Sequence, residues 1–515
     1  MTPKTGFFIV FCIALACASC YLPPVSLFTD RLLLPKWYLC ALAISLAVVG
    51  YSLMRLSHRK VAIGRLFPIV KNMYLMVTMA ECLYVLGDMF VYGLPSIGAS
   101  GTFDNPAGLA LSVCVAIPCA VHSLFREKGM WHKILCAIAL VGMFSVLCLT
   151  KSRTGQMCLS FYFIIYMCKG IGALSPSPCI RKVVFFLCAV IVFVGVAVLI
   201  VRTKTASTSG RAFILERSWE LVKERPFVGH GWNGFEREYM LCQASFFREH
   251  PNSDCAMLAD EVQHPLNEFV YLWVNYGIIA PIILLGTMLL SCVVCTRLVG
   301  KMSLWLSLLC VFVFSCFSYP FHYPVAWFVV ALPFIVWLRW RRGQRWTSFV
   351  MFLVGLVGML FVAVDATFEY RWNRAYRHSF REQNSKVLDE YDALYGYMCH
   401  NHYFLYNYAM TAFLLHDFNK AYTLIEECGQ YWNGYNRELL AGDICRRSQK
   451  LEEAINHYAL ARQMCPARFA PLEGLYKVYD VMGEKGNRDR IAKEIARKKV
   501  KVPSSTIERI KEKYK

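Results

Sequence analysis

Charge is scarce in this sequence: 17% of its 515 residues are Asp, Glu, Lys or Arg, against 57% hydrophobic residues and a mean hydropathy of +0.41. That balance excludes an ordinary soluble globule and implies a membrane protein. Acidic residues are the scarcer sign, 35 against 55 basic, for a formal net charge of +20. Elsewhere such an excess suggests nucleic acid. Here much of it lies in short loops between apolar runs, the pattern of positive-inside loops and of sites for anionic lipid, so no nucleic-acid partner is expected. H-E-x-x-H and D-x-D are both missing. Zinc hydrolysis and the metal-nucleotide chemistry of many sugar-nucleotide transferases therefore lack support, and no metal or cofactor is expected. Cysteine is not lacking, with 23, but most lie inside apolar runs (Cys114, Cys136, Cys188, Cys310) and behave as small buried hydrophobes.

Apolar segments long enough to cross a hydrocarbon core, about 17 to 25 residues each, fall near 6–28, 37–54, 67–92, 107–125, 133–150, 155–171, 183–201, 273–296, 302–320, 324–341 and 346–364. The expected fold is all-α and polytopic, with eleven membrane helices and the two chain ends on opposite sides. Lys and Arg cluster after the even-numbered spans: Arg55, Arg59, Lys60 and Arg65; Arg126, Lys128 and Lys133; Lys169, Arg181 and Lys182; Arg297 and Lys301; Arg339, Arg341, Arg342 and Arg345. The positive-inside rule makes those loops cytoplasmic, and 93–106 and 321–323 hold no Lys or Arg, as outward loops should. Residues 202–264 and the C-terminal tail then face outward. The first segment ends in small residues like a signal peptide, but the apolar residues beyond Pro23 and Pro24 and the alternation of charge favour a retained span.

The expected domains are a membrane domain, 1–364, with an outward loop at 202–264, and a polar helical domain at 365–515. Within the latter, FNKAYTLIEEC (418–428) and LEEAINHYALARQMCP (451–466) superpose with Ala421 on Ala454, a period of 33. That is close to the tetratricopeptide helix pair, which binds peptides or partner proteins, and a third unit follows from about 470. The alternative is a solubilising cap without a ligand.

Four stretches stand out on the outward side. GTFDNPAG (101–108) reads as a turn and helix cap, with Asn105 before Pro106 at the first helical position. TKSRTG (150–155) holds Lys151 and Arg153 in a short turn between spans; arginine there snorkels or grips a lipid phosphate bidentately. The loop 202–264 is long enough to signal function, with an amphipathic helix from about Arg211 to Glu224 that carries Arg217, and then GHGWNGF (229–235). The last matches G-x-G-x-x-G, but no strand precedes it, so it reads as a compact turn with Trp232 and Phe235 available to the interface or a glycan. Finally, EVQHPLNEF (261–269) puts His264 ahead of Asn267 and Glu268, and a helix would bring His264 and Glu268 together at i and i+4. Cys242 and Cys255 share the outward loop, which leaves a disulfide between them open. In the third span, Glu81 and Asp88 share one helical face, and intramembrane carboxylates of this kind suggest function or pairing.

Together, G-T-F-x-N-P, S-R-T-G, the loop with G-R and G-x-G-x-x-x-F, and H-x-x-x-E resemble the O-antigen ligase and O-antigen polymerase family of membrane glycosyltransferases, over roughly 65 to 365. The resemblance implies a donor glycan on undecaprenyl diphosphate in the bacterial inner membrane. It implies catalytic roles for Arg153, Arg211 and His264, with Lys151, Arg217, His230, Asn267 and Glu268 as substrate-binding candidates. The family histidine often precedes Asn or Ser, whereas His264 precedes Pro265, and His230 is the alternative. A polyprenyl diphosphate is already a good leaving group, so such an enzyme needs fixed cations for the departing charge and a group that deprotonates or orients the acceptor hydroxyl. The acceptor is a core glycolipid, another glycan or a protein. A transporter is the reading from another class, against which no inverted repeat or paired helix break is visible.

Overall fold

The structure, a computed structural model, describes residues 3–56, 66–93, 95, 98–126, 129–174, 206–295, 302–338, 345–381 and 386–514. Among these residues every regular element is helical. In chain order they are α1 (Pro3–Ser19), α2 (Leu34–Leu56), α3 (Leu66–Tyr92), α4 (Pro106–Arg126), α5 (Met130–Leu149), α6 (Arg153–Leu174), α7 (Ala206–Glu224), α8 (Gly234–Glu249), α9 (Glu268–Tyr276) and α10 (Ile279–Val294). Next come α11 (Met302–Phe317), α12 (Pro324–Leu338) and α13 (Arg345–Arg381). The C-terminal run is α14 (Lys386–Met398), α15 (His402–Leu414), α16 (Phe418–Cys428), α17 (Tyr435–Arg447), α18 (Leu451–Met464), α19 (Ala470–Met482), α20 (Lys485–Arg497) and α21 (Ser505–Lys513).

Five stretches among the described residues are long and apolar enough to cross a membrane: Leu34–Leu56, Pro68–Tyr92, Pro106–Arg126, Met130–Leu149 and Trp346–Arg381. Val10–Ser19, Ile279–Val294, Met302–Phe317 and Pro324–Pro333 are apolar but shorter. The expected span at 183–201 lies outside the described residues, and so do the loop cations Arg59, Lys60, Arg65, Lys128, Arg181, Lys182, Arg297, Lys301, Arg339, Arg341 and Arg342.

The chain divides into two compact units, Met1–Arg202 with Ile283–Tyr370, and Thr203–Ile282 with Arg371–Lys515. At the centre of the first is α4, packed by α3, α5, α6 and α11 and lined with buried small and branched residues from Gly108 to Ser123. Asn105 caps it: Oδ1 accepts the N–H groups of Ala107 (2.7 Å) and Gly108 (3.0 Å), the role its place before Pro106 predicts. The long helix α13 runs through the change of composition at Asp365. Asp365 accepts from the Tyr38 hydroxyl (2.7 Å) and Glu369 from Thr29 (2.9 Å), so this unit reaches beyond the apolar run. Two C-x-x-C spacings, Cys17 to Cys20 and Cys292 to Cys295, fall at the ends of apolar helices. There Cys17, Cys20 and Cys295 are buried and Cys292 half-buried, packed as hydrophobes.

The second unit joins stretches far apart in the chain. Leu221, Val222, Phe235, Tyr239, Met240, Ala244 and Val274 share one core with Tyr435, Ala461, Met464 and Cys465. The described part of the loop, 206–264, thus packs on the tail, because neither amphipathic partner can cover its own apolar face. The tail is a run of helix pairs. First helices open at His402, Tyr435 and Ala470, and second helices at Phe418, Leu451 and Lys485, a spacing of 33 to 35 residues. Ala421 and Ala454, fully buried at matching places in α16 and α18, let neighbouring helices approach. The Tyr458 ring fills space that Cβ atoms at Gly442 and Gly474 would take.

Candidate functional site

In the first unit, Lys151 and Arg153 stand on a fixed turn. The Thr150 hydroxyl donates to the Leu147 carbonyl (2.7 Å) and accepts the Ser152 N–H (3.2 Å), while the Ser152 hydroxyl accepts the Gly155 N–H (3.3 Å). Lys151 takes φ +53°, a left-handed conformation costly for a side chain of its kind, and the Ala99 N–H bonds the Leu149 carbonyl (3.0 Å) alongside. Both cations are exposed at the opening of α6. Cations at a helix N-terminus have the same sign as the positive end of the macrodipole, so the two add and make the turn attractive to an anion.

The strap before α4 is held by two charges that the sequence reading left out of the site. Lys36, fully buried, donates to the Thr102 hydroxyl (3.1 Å) and the Cys20 carbonyl (3.3 Å) and lies 3.9 Å over the Phe103 ring. Glu81 accepts the Thr102 N–H (2.8 Å). Asn105 also donates to the hydroxyls of Tyr319 and Tyr323, and Tyr323 donates to Asp104 (2.7 Å). Glu81 thus has a positioning partner inside the bundle.

In the second unit, the glycine turn is a packing device. His230 and Gly231 donate their N–H groups to the carbonyls of Val274 and Asn275 (both 2.8 Å), and the Phe235 N–H bonds the Asn275 side chain (2.8 Å). Gly229, at φ +71°, lies so close to Asn275 and Gly277 that a Cβ would strike their backbone. No phosphate is needed to explain it. Phe235 is fully buried and stacked on Tyr239 at 4.8 Å, which corrects the expectation that it faces outward: it is the first apolar residue of α8 and turns into the shared core. Trp232 is exposed.

His264 does not belong to a helix. Leu266 adopts φ +57° and Asn267 caps α9, its side chain accepting the Val270 N–H (3.1 Å), so the i to i+4 pair expected from a helix is made by a turn. His264 Nδ1 accepts the Leu266 N–H (3.0 Å), which puts the ring proton on Nε2, and Nε2 faces Glu268 at 3.7 Å. The ring stacks on Tyr271 (4.6 Å), whose hydroxyl donates to Glu236 (2.9 Å). Burial pushes the Glu236 carboxyl up, against the pull of its hydrogen bonds. Chemically this is a half-buried N–H donor beside a nearly buried carboxylate on a rigid aromatic support.

The tail holds the approach to His264. Asp260 pairs with Arg468 (2.5 Å) and Lys501 (3.4 Å), Lys501 also donates to the Ala259 carbonyl (3.1 Å), and Asn436 donates to Glu261 (2.8 Å). Gln243, fully buried, donates to the carbonyls of both Asp260 (3.1 Å) and Met464 (2.7 Å).

A sequence model of the family described as O-Antigen ligase matches residues 138–285. Residues 138–285 are an O-antigen ligase domain. No curated protein and no solved structure matches the chain. The ligase domain contains Lys151, Arg153, Arg211, the glycine turn and the His264 cluster, while the strap at 101–105 lies outside it.

Within the ligase domain the candidates differ in circumstance. Arg211 is exposed on α7. Arg217 is buried, bonded to Glu216 (2.6 Å) and Glu220 (2.8 Å) and seated 4.3 Å over the Phe246 ring. Nε2 of His230, also buried, is 2.9 Å from the Leu221 carbonyl. Cys242 and Cys255 are free thiols, and burial with Glu220 beside it pushes the Cys242 thiol up to about 12. No cluster of three or more metal-ligating side chains occurs among the described residues. Glu236, Tyr271 and Asn275 went unrecognised in the sequence because their partners lie about 35 to 40 residues away in the chain.

Proposed function

We propose that this chain transfers a glycan from undecaprenyl diphosphate to an acceptor hydroxyl at the periplasmic face of a bacterial inner membrane, as an O-antigen ligase-like enzyme. The observation that carries the reading is the His264 and Glu268 pair, backed by Tyr271 and Glu236, inside a ligase domain that also supplies Arg153 and Arg211. Eleven spans, with the N-terminus cytoplasmic and the tail periplasmic, put these residues on one side of the membrane.

In the reaction, the acceptor oxygen forms a bond to the anomeric carbon as the bond to the diphosphate oxygen breaks. The electron pair leaves with the diphosphate, and the hydroxyl proton passes to the Glu268 carboxylate. His264 Nε2–H orients the acceptor, since its Nδ1 lone pair is already taken by Leu266. Arg211, in the same unit as His264, neutralises the departing diphosphate, a fixed donor of this kind lowering the barrier by about 3 kcal/mol; Arg153 with Lys151, on the turn of the other unit, offers the same chemistry. Displacement in line inverts the anomeric centre. Arg217, His230 and Asn267 shape the site through the protein partners they already hold. No metal enters.

Polymerisation of repeat units, or transfer to Ser or Thr of a protein, uses the same chemistry with another acceptor. The tetratricopeptide-like pairs favour a protein acceptor or partner. Reconstitution with an undecaprenyl-diphosphate glycan, without divalent metal, tests the proposal: transfer to a core lipid, a glycan or a polypeptide identifies the acceptor. Movement of the lipid across the bilayer without transfer would replace the proposal with a transporter.

A further inference from the structure

The backbone from Pro226 to Gly231 is zipped to the backbone from Trp273 to Ile278. The Pro226 carbonyl accepts from the Ile278 N–H (3.0 Å) and from the Trp273 indole (2.9 Å), and beyond it come the paired bonds of His230 and Gly231 to Val274 and Asn275. Gly277, at φ +73°, lies against the Phe227 carbonyl with no room for a side chain. Phe227 and Val228 are therefore fixed at the level where the chain enters the apolar helix α10.

On this rigid tip, Phe227 is 75% exposed, Val228 81% and Trp232 75%. Ile279 and Ile282, in the first turn of α10, are exposed as well. Soluble proteins do not hold so many large apolar side chains together in water on a backbone this constrained, so the patch marks a contact with another phase or molecule. Just behind it, Lys223 and Arg225 are exposed at the end of α7. Aromatic residues backed by cations, continuous with an apolar helix, are the composition of a membrane–water boundary, where indole rings settle and basic side chains meet anionic headgroups.

We propose that Phe227, Val228 and Trp232 form a hook that dips into the outer leaflet beside the start of α10, with Lys223 and Arg225 on the phosphates of anionic lipid. The hook fixes the depth of the glycine turn, and through α9 that of the His264 cluster, at the level where a lipid-linked diphosphate resides. This rests on the reading of the chain as a multi-pass membrane protein, but not on the proposed transfer reaction.

The test uses full-length protein in phosphatidylglycerol-containing vesicles and takes the fluorescence difference between wild type and Trp232→Phe, which isolates Trp232. Expected is a blue-shifted contribution that loses most of its intensity to lipids brominated near the headgroup end of the acyl chain and little to aqueous iodide. In a Phe227→Asp background the Trp232 contribution should shift to the red and become open to iodide. Quenching of wild-type Trp232 by iodide and not by bromolipid would overturn the proposal. So would protection from both, which would mean that protein covers the tip. Neither readout depends on glycan transfer, so the hook and the reaction fail separately.

Discussion

Arg217 follows Phe213 and precedes Leu221 at intervals of four, so all three lie on one face of α7, and that face is buried. Its charge is held by Glu216 and Glu220, and its planar head rests on Phe246. Arg211, six residues earlier, is exposed. The two residues should answer differently to removal. Arg217→Ala should cost about 1–3 kcal/mol of stability, seen as a lower Tm of the purified protein. Arg211→Ala should melt like wild type yet lose roughly 10²–10³ in transfer rate. Glu268→Gln keeps the shape of the His264 pocket and removes the proposed proton acceptor, so transfer should fall by roughly 10²–10⁴ with KM nearly unchanged, measured by steady-state kinetics on the reconstituted enzyme. The four-residue spacing of Phe213, Arg217 and Leu221 encodes the burial of Arg217, but the sequence reading placed it among the substrate-binding candidates on a largely solvated helix. The setting of His264 was legible only in part: its neighbourhood to Glu268 follows from separation along the chain, whereas the tautomer depends on Leu266 in a left-handed conformation that no residue type announces.

Between elements, the segment Ala259 to Glu261 is pinned by side chains from the tail three residues before His264. Burial works to raise the Asp260 carboxyl, but the Glu261 N–H, Arg468 and Lys501 hold it below its ordinary 3.8. A carboxyl depressed in the folded state stabilises above its unfolded value and loses that contribution as pH falls through the folded one. Asp260→Asn should therefore open the 250–264 segment to protease faster than wild type at neutral pH, with the difference vanishing well below pH 3.8. Both partners are partly exposed, so a double-mutant cycle between Asp260 and Arg468 should give about 0.2–1 kcal/mol. The cap of α4 by Asn105 and the period of the helix pairs were readable because each is encoded within one stretch of chain. The pairing of the loop with the tail was not. It depends on which apolar faces meet across some two hundred residues, and amphipathicity reveals that a face is buried without naming its cover.

At the scale of the whole chain, composition alone pointed to a membrane protein, and the O-antigen ligase family match at 138–285 covers S-R-T-G, the glycine turn and the His264 stretch but not G-T-F-x-N-P. The tail is part of the unit that carries His264, since Tyr435, Ala461, Met464 and Cys465 complete the core around Phe235, Tyr239 and Met240. Deleting residues 435–515 should thus do more than remove a docking surface. It should leave 206–282 protease-sensitive and aggregation-prone and abolish transfer, as measured by limited proteolysis and activity of the truncated full-membrane protein. A tail that served only a partner would leave 206–282 protected. The shared core also sets a schedule for biosynthesis. Residues 206–282 leave the ribosome before α11, α12 and α13, and the residues that finish their core begin at Tyr435. At about 5–20 residues per second, that half-built core waits roughly ten to thirty seconds, and it cannot close by local folding because its partners do not yet exist. During this interval Phe235, Tyr239 and Met240 are an apolar surface that a chaperone must shield, and a stalled or shortened message would release a protein with the unit around His264 unfinished.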